Sequence, residues 1–293
     1  MGFMGIGLIN RISMIKRGFI FEKSKPSFFI VGAQKSGATS LHSYLSDRKG
    51  FRGSVPKEVH YFDRDENHCK GNKWYEKHFS MGKRAGGSCL SFEATPTYLH
   101  RSKVPRRIYE YNPESKIIII LREPVSRAFS AWNMYKQWAN EKIVPNRMLN
   151  DVKSGRTNNI YDVFFKGRCP SFGEYIDIEM ELINEGGKDE EPSLLRRGLY
   201  KEQIERYVEI FGWHNVLVLG FNELKTDAEA VIRKCHDFLG VPYQEVPSVG
   251  EKEIKNKRAY PSKISSNELE ILQKFYEQPN SDLFEYLGYR PDW

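Results

Sequence analysis

Six residues, Lys116 to Leu121 (KIIIIL), constrain the fold of this chain more than any other stretch. Four successive isoleucines offer no polar face, so they suit neither an amphipathic helix nor a half-solvated strand. Bounded by Asn112-Pro113 and Pro124, they predict a strand buried on both sides, as in a parallel sheet between two helix layers. Further strands are expected at Ser27–Val31, Ser88–Phe92 and Val216–Phe221. Helices are expected after Ser40, where Leu41, Tyr44 and Leu45 fall at helical spacing, and over Leu199–Phe211, Ala228–Leu239 and Asn267–Tyr276. Strands alternating with helices predict an α/β fold whose parallel sheet has right-handed crossovers and helices on both faces. From Met134 to Pro192 the pattern weakens around polar breaks such as Gly155–Asn159 and Glu185–Glu191. This region reads as helical insertions and loops within a single domain at 26–293.

With 40% hydrophobic and 13% aromatic residues, the chain can fill a core, which excludes global disorder. Its 45 basic against 38 acidic side chains leave +7, a balance that favours an anionic partner. Cys69, Cys89, Cys169 and Cys235 form no paired spacing of the kind zinc needs, so free thiols and a cytoplasmic setting are expected. No apolar window reaches the roughly 18 residues of a membrane span. Residues 1–25 form an extension in which Met4, Leu8, Ile12, Ile15 and Phe19 recur at helical spacing among Arg11, Lys16 and Arg17. Such a basic amphipathic helix packs on its own domain or, through residues 1–20, leans on a membrane surface. It matches neither a secretory signal nor a myristoylation pattern.

The strand at Ser27–Val31 runs into Gly32-Ala-Gln-Lys-Ser-Gly-Ala-Thr-Ser40 and then a helix. A glycine-containing turn between strand and helix directs backbone N–H groups and the positive helix end at one point, which makes an anion site. The loop is P-loop-like, but Lys35 precedes the second glycine, whereas in a Walker A loop the lysine follows it. A Mg-nucleotide enzyme also needs an acid at a strand end, and the isoleucine strand ends instead in Arg122. Arg122 leads to Pro124 and Ser130, an arginine and a hydroxyl near a helix start, which form a second phosphate grip. Two anion sites without a metal-binding acid suit a nucleotide phosphorylated at two separate places.

These residues resemble the PAPS-dependent sulfotransferases, specifically the heparan sulfate N- and 3-O-sulfotransferase branch with its bacterial-type members. Gly32–Ser40 is similar to that family's 5′-phosphosulfate loop and Arg122–Ser130 to its 3′-phosphate motif. Pro56-Lys-Glu-Val-His-Tyr-Phe-Asp63 with Gly71 and Trp74-Tyr75, Glu93-Ala-Thr-Pro-Thr-Tyr98, Arg197-Gly-Leu-Tyr200, Phe238-Leu-Gly-Val241 and Lys257-Arg-Ala-Tyr-Pro261 follow in the family's order. The chain departs from the family at Asn256-Lys257-Arg258, where relatives carry Lys-Gly-Arg, and it lacks the animal enzymes' cysteine pair before that loop.

The resemblance implies the sulfotransferase fold and transfer of a sulfuryl group from PAPS (3′-phosphoadenosine 5′-phosphosulfate), releasing PAP, with no metal. It implies Glu58 as general base, Lys35 at the bridging oxygen, and Ser36, Gly37, Ala38, Thr39 and Ser40 around the 5′-phosphate. Arg122 and Ser130 would hold the 3′-phosphate, with Lys257 and Arg258 closing over it. His60 accompanies the catalytic pair and, with Lys57 and Asp63, is placed on the acceptor side; His60 and Asp63 are either orienting partners of the acceptor or a structural hydrogen-bonded pair. The expected acceptor is a glycan, glycolipid or small molecule, and no nucleic acid. A P-loop nucleotide or sugar kinase, a natural-product sulfotransferase and a nucleic-acid-binding module are the competing readings.

Overall fold

Ile117 to Ile120 are fully buried, and their side chains divide between two cores. The structure is a computed structural model that describes residues 25–79, 89–153, 159–186, 193–244 and 263–293. The amphipathic pattern at 1–20 and the loop carrying Lys257 and Arg258 lie outside the described residues.

The elements run β1 (Phe28–Gly32), α1 (Ala38–Ser46), β2 (Phe51–Gly53), α2 (Asp65–His68), α3 (Asn72–Tyr75), β3 (Leu90–Ala94), α4 (Val104–Tyr111) and β4 (Lys116–Leu121). After them come α5 (Pro124–Asn140), α6 (Asn146–Lys153), α7 (Asn159–Phe165), α8 (Phe172–Asn184), α9 (Tyr200–Phe211), β5 (Val216–Gly220), α10 (Phe221–Thr226), α11 (Ala228–Leu239) and α12 (Ser266–Leu287). The five strands pair in the order β2-β3-β1-β4-β5, and every pairing is parallel. The chain passes from β1 to one side of it and then returns to the other. The β1 end is therefore a topological switch point, where open α/β sheets bind ligands.

Alternation in β4 sends Ile117, Ile119 and Leu121 into one core with Phe29, Val31, Ile108, Ile204, Tyr207 and Leu283, from β1, α4, α9 and α12. Ile118 and Ile120 enter the opposite core with Phe28, Ile30, Leu41, Leu45, Val231 and Ile232, from β1, α1 and α11. Each such burial stabilises the fold by about 1.5–3 kcal/mol. A third cluster joins Ala128 and Trp132 of α5 to Phe164, Phe172, Tyr175, Leu272 and Tyr276, which integrates the weakly patterned region as α6, α7 and α8. The helices and parallel sheet form one α/β domain.

Beyond the helices α2, α3, α4 and α10, for which the sequence raised no expectation, three elements stand out. β3 is Leu90–Ala94 instead of Ser88–Phe92, because Glu93, a charge that reads as the end of a strand, is inside and fully buried. The three-residue β2 is too short for a periodicity signal. Helix α12 continues through Pro279 to Leu287, because Leu283, Phe284 and Leu287 beyond the proline pack into the core.

Candidate active site

β1 delivers the chain to the switch point, where Gly32 lies so close to the segment after β3 that an added Cβ would stand 2.6 Å from Leu99 Cβ. Lys35 (φ 69°) and Gly37 (φ 98°) are both left-handed. Left-handed residues beside right-handed ones turn successive N–H groups inward, making a nest for an anion. Helix α1 starts at Ala38, so Thr39 and Ser40 lie in its first turn, its positive end. The hydroxyl-bearing Ser36 and Ser40 are buried.

The adjacent strand β4 delivers Arg122. Its guanidinium donates to the Lys35 carbonyl at 3.2 Å and lies 4.9 Å from the centre of the Phe221 ring, while the Tyr200 hydroxyl donates to the Arg122 carbonyl at 2.7 Å. Glu123 caps α5 by accepting from the N–H groups of Val125 and Ser126 at 2.8 and 2.6 Å. Two turns on, Ser130 is buried in α5, and Lys35 Nζ lies 3.9 Å from Met134 Sδ on the same helix. The Gly32–Ser40 loop, Arg122 and α5 are thus joined at one end of the sheet. Gln34 of the loop accepts from Arg197 at 2.9 Å, a tie between Arg197 and the loop that spacing alone did not reveal.

The segment after β2 carries Glu58. Lys57 Nζ stands 2.5 Å from Glu58 Oε1 and donates to Thr39 Oγ1 at 3.1 Å, which brings this segment against the Gly32–Ser40 turn and the start of α1. On the other oxygen, His60 Nε2 lies 3.6 Å from Glu58 Oε2, and His60 Nδ1 meets Asp63 Oδ2 at 2.9 Å. Thr97 donates to that same Asp63 oxygen at 2.7 Å. Glu58, Lys57, His60, Asp63 and Thr39 therefore form one connected array.

Burial alone would raise the Glu58 carboxyl, but the His60 hydrogen bond and the Lys57 charge outweigh it and hold the group at about 2. For His60, burial acts the opposite way and lowers it, yet hydrogen bonds to Asp63 and Glu58 prevail and keep the imidazole above its ordinary value. Asp63 is pushed down, because His60 and Thr97 overcome the opposing effect of its burial.

Beneath this array lies a group that sequence reading did not single out for a role. Glu93 Oε1 accepts from the Val59 N–H at 3.1 Å, Thr95 Oγ1 at 2.5 Å and the Tyr98 hydroxyl at 2.8 Å, and Oε2 accepts from Tyr75 at 2.5 Å. The Tyr98 oxygen in turn accepts from the N–H groups of Tyr61 and Phe62 at 2.9 and 3.2 Å. An acid inside an otherwise apolar strand was the available signal. Burial pushes the Glu93 carboxyl up, against the pull of its donors.

The described residues contain no group of three or more His, Cys, Asp or Glu able to hold a metal, and no helix among them is long and apolar enough to cross a membrane. Cys69, Cys89, Cys169 and Cys235 are free thiols.

The parallel sheet, with a left-handed turn at its switch point, an arginine at the neighbouring strand end and a carboxylate array beside the turn, is an α/β architecture. The family model for the sulfotransferase domain matches residues 25–281, and the chain belongs to that family. It is similar to the sulfotransferase from Alicyclobacillus acidocaldarius, whose crystal structure superposes with a TM-score of 0.65 at 28% identity over 91% of this chain and 97% of that one. Among curated proteins, the membrane-associated sulfotransferase kil1 of Dictyostelium discoideum is 22% identical over 92% of this chain and 66% of its own length. The human bifunctional heparan sulfate N-deacetylase/N-sulfotransferase 3 is 27% identical over 74% of this chain but only 22% of its own length. The chain thus spans just under two thirds of the first of these relatives and about a fifth of the second.

Proposed function

We propose that the chain transfers a sulfuryl group from PAPS to a hydroxyl or amine of a glycan-type acceptor, with Glu58 as general base. The observation that carries this reading is the Lys57 bridge between Glu58 and Thr39, which puts a carboxylate within one side chain of the phosphate loop.

The residues fit a doubly phosphorylated nucleotide. The nest at Lys35–Gly37 and the first turn of α1 suit the 5′-phosphate, and Ser36, Ala38, Thr39 and Ser40 belong to the same turn. Arg122 and Ser130 suit the 3′-phosphate, with Lys257 and Arg258 assigned to it from the late loop. The donor supplies an activated S–O bond to a phosphate leaving group. Glu58 takes the proton of the acceptor as its oxygen or nitrogen bonds to sulfur, and Lys35 with the nest N–H groups neutralises the charge that stays on the 5′-phosphate of PAP. Positioning and charge stabilisation supply most of the rate in such in-line displacements. His60, fixed by Asp63, holds Glu58 from the acceptor side.

The heparan sulfate relatives support a glycan, and the +7 charge suits an anionic one. The basic, amphipathic sequence pattern of residues 1–20, together with the membrane-associated relative, supports a peripheral membrane contact and hence a glycolipid. The test is incubation with sulfur-labelled PAPS and a panel of glycans, glycolipids, phenols and steroids. Label is expected in the first two classes, and exclusive labelling of phenols or steroids would refute the glycan assignment.

A further inference from the structure

The base and the phosphate loop share one cation. Lys57 is not part of the nest or of the Arg122 grip, yet its ammonium touches both Thr39 in the first turn of α1 and the carboxylate of Glu58. An ammonium has three N–H donors on a flexible stem, and its partners can be exchanged by side-chain rotation alone. The backbone under it is fixed: the Lys57 carbonyl accepts from Ser54 Oγ at 2.9 Å and the Val59 N–H is held by Glu93. A change of partner by Lys57 therefore leaves Glu58 where it is.

We propose that Lys57 is a donor-contacting residue that couples nucleotide binding to the base: an anionic 5′-phosphate arriving beside Thr39 draws the ammonium away from Glu58. The inference rests on the sulfotransferase reading above and assigns Lys57 to the donor in place of the acceptor. Its physical basis is competition. The carboxylate and the incoming phosphate are two anions on either side of one ammonium, and Thr39 already holds that ammonium on the loop side. A carboxylate paired on both oxygens accepts a proton poorly. Once Lys57 turns to the phosphate, Glu58 keeps one cationic neighbour, His60, which Asp63 anchors and beside which Arg64 also acts. The base is thus released only with the nucleotide in place, and the donor binds ahead of proton abstraction.

The test is a double-mutant cycle on the affinity for PAP, read by calorimetry at fixed ionic strength with wild type, Lys57→Gln, Glu58→Gln and the double variant. If Lys57 must leave Glu58 to meet the nucleotide, Glu58→Gln tightens PAP binding by about fivefold in the wild-type background and has no such effect once Lys57 is Gln. General removal of a negative charge near the nucleotide would tighten binding equally in both backgrounds, and that additive result overturns the coupling while leaving the sulfotransferase reading intact. Lys57→Arg, which keeps the charge, restores the dependence on Glu58. A wild-type protein that binds no PAP overturns the sulfotransferase reading, and the coupling with it. Both side chains lie on a partly exposed segment, and unchanged thermal unfolding confirms that each variant is folded.

Discussion

The Tyr98 hydroxyl donates to Glu93 Oε1 across 2.8 Å while accepting the N–H groups of Tyr61 and Phe62. A strand acid and a tyrosine five positions later thereby hold the segment that presents Glu58, and neither touches the candidate reacting groups. Replacing Glu93 by Leu leaves Tyr75, Thr95, Tyr98 and the Val59 N–H without this acceptor in the core, at about 1–3 kcal/mol for each buried donor left unmade. Urea unfolding should show Glu93→Leu as severely destabilised, and Glu93→Gln, whose carbonyl still accepts, as much less so. Equal stabilities would refute the acceptor role.

Glu58→Gln keeps the shape of the side chain and removes the base. Turnover should fall by about 10²–10⁴ with PAP binding retained. A variant with near wild-type kcat under saturating donor would exclude Glu58 as base.

Arg122 stands beside the Gly32–Ser40 loop at the end of β4, where a Mg-nucleotide enzyme would place an acid. Arg122→Ala should weaken PAP binding by about 2–5 kcal/mol, as expected for loss of a desolvated charge partner. Titration of the variant with PAP checks this, and unchanged affinity would remove Arg122 from the site. For the same reason activity should survive EDTA, and a strict requirement for Mg²⁺ would revive the kinase reading.

His60 gives the stability of the fold a pH dependence of known sign. Burial lowers its proton affinity, but Asp63 and Glu58 more than compensate, so the folded value lies above the ordinary one. The stabilisation is complete below about pH 6.5 and is lost as pH rises through the folded value. Urea midpoints should therefore decline from pH 6 to pH 9 in wild type and decline less in His60→Gln. Parallel slopes would show that another group is responsible.

The legible parts of this protein were those with local signals. The isoleucine run declared a strand buried on both faces, and Gly32 to Ser40 declared a turn between a strand and a helix, because periodicity and glycine placement act over a few residues. The position of Lys35 before Gly37 and the cation at Arg122 already argued against a Mg-nucleotide enzyme. What stayed hidden depends on contacts between distant segments. The contact between Lys57 and Thr39 is an example, because nothing in the neighbourhood of Lys57 announces a partner 18 residues earlier. Glu93 and Tyr98 were visible as a motif, but their purpose requires the loop from Val59 to Phe62 folded over them. The end of β3 was misplaced for the same reason, since a buried glutamate resembles a strand boundary until its four donors are known.

Gly32 pairs with Ile119 of the neighbouring strand, so the loop after β1 and the arginine after β4 hang from two hydrogen-bonded strands. Their separation is fixed by the main-chain spacing of a sheet, about 4.8 Å between neighbours, and not by any adjustable rotamer. Under the proposed function, the two strands act as a rigid caliper for the nucleotide. On that reading, the segments proposed to meet the acceptor can change without recalibrating it.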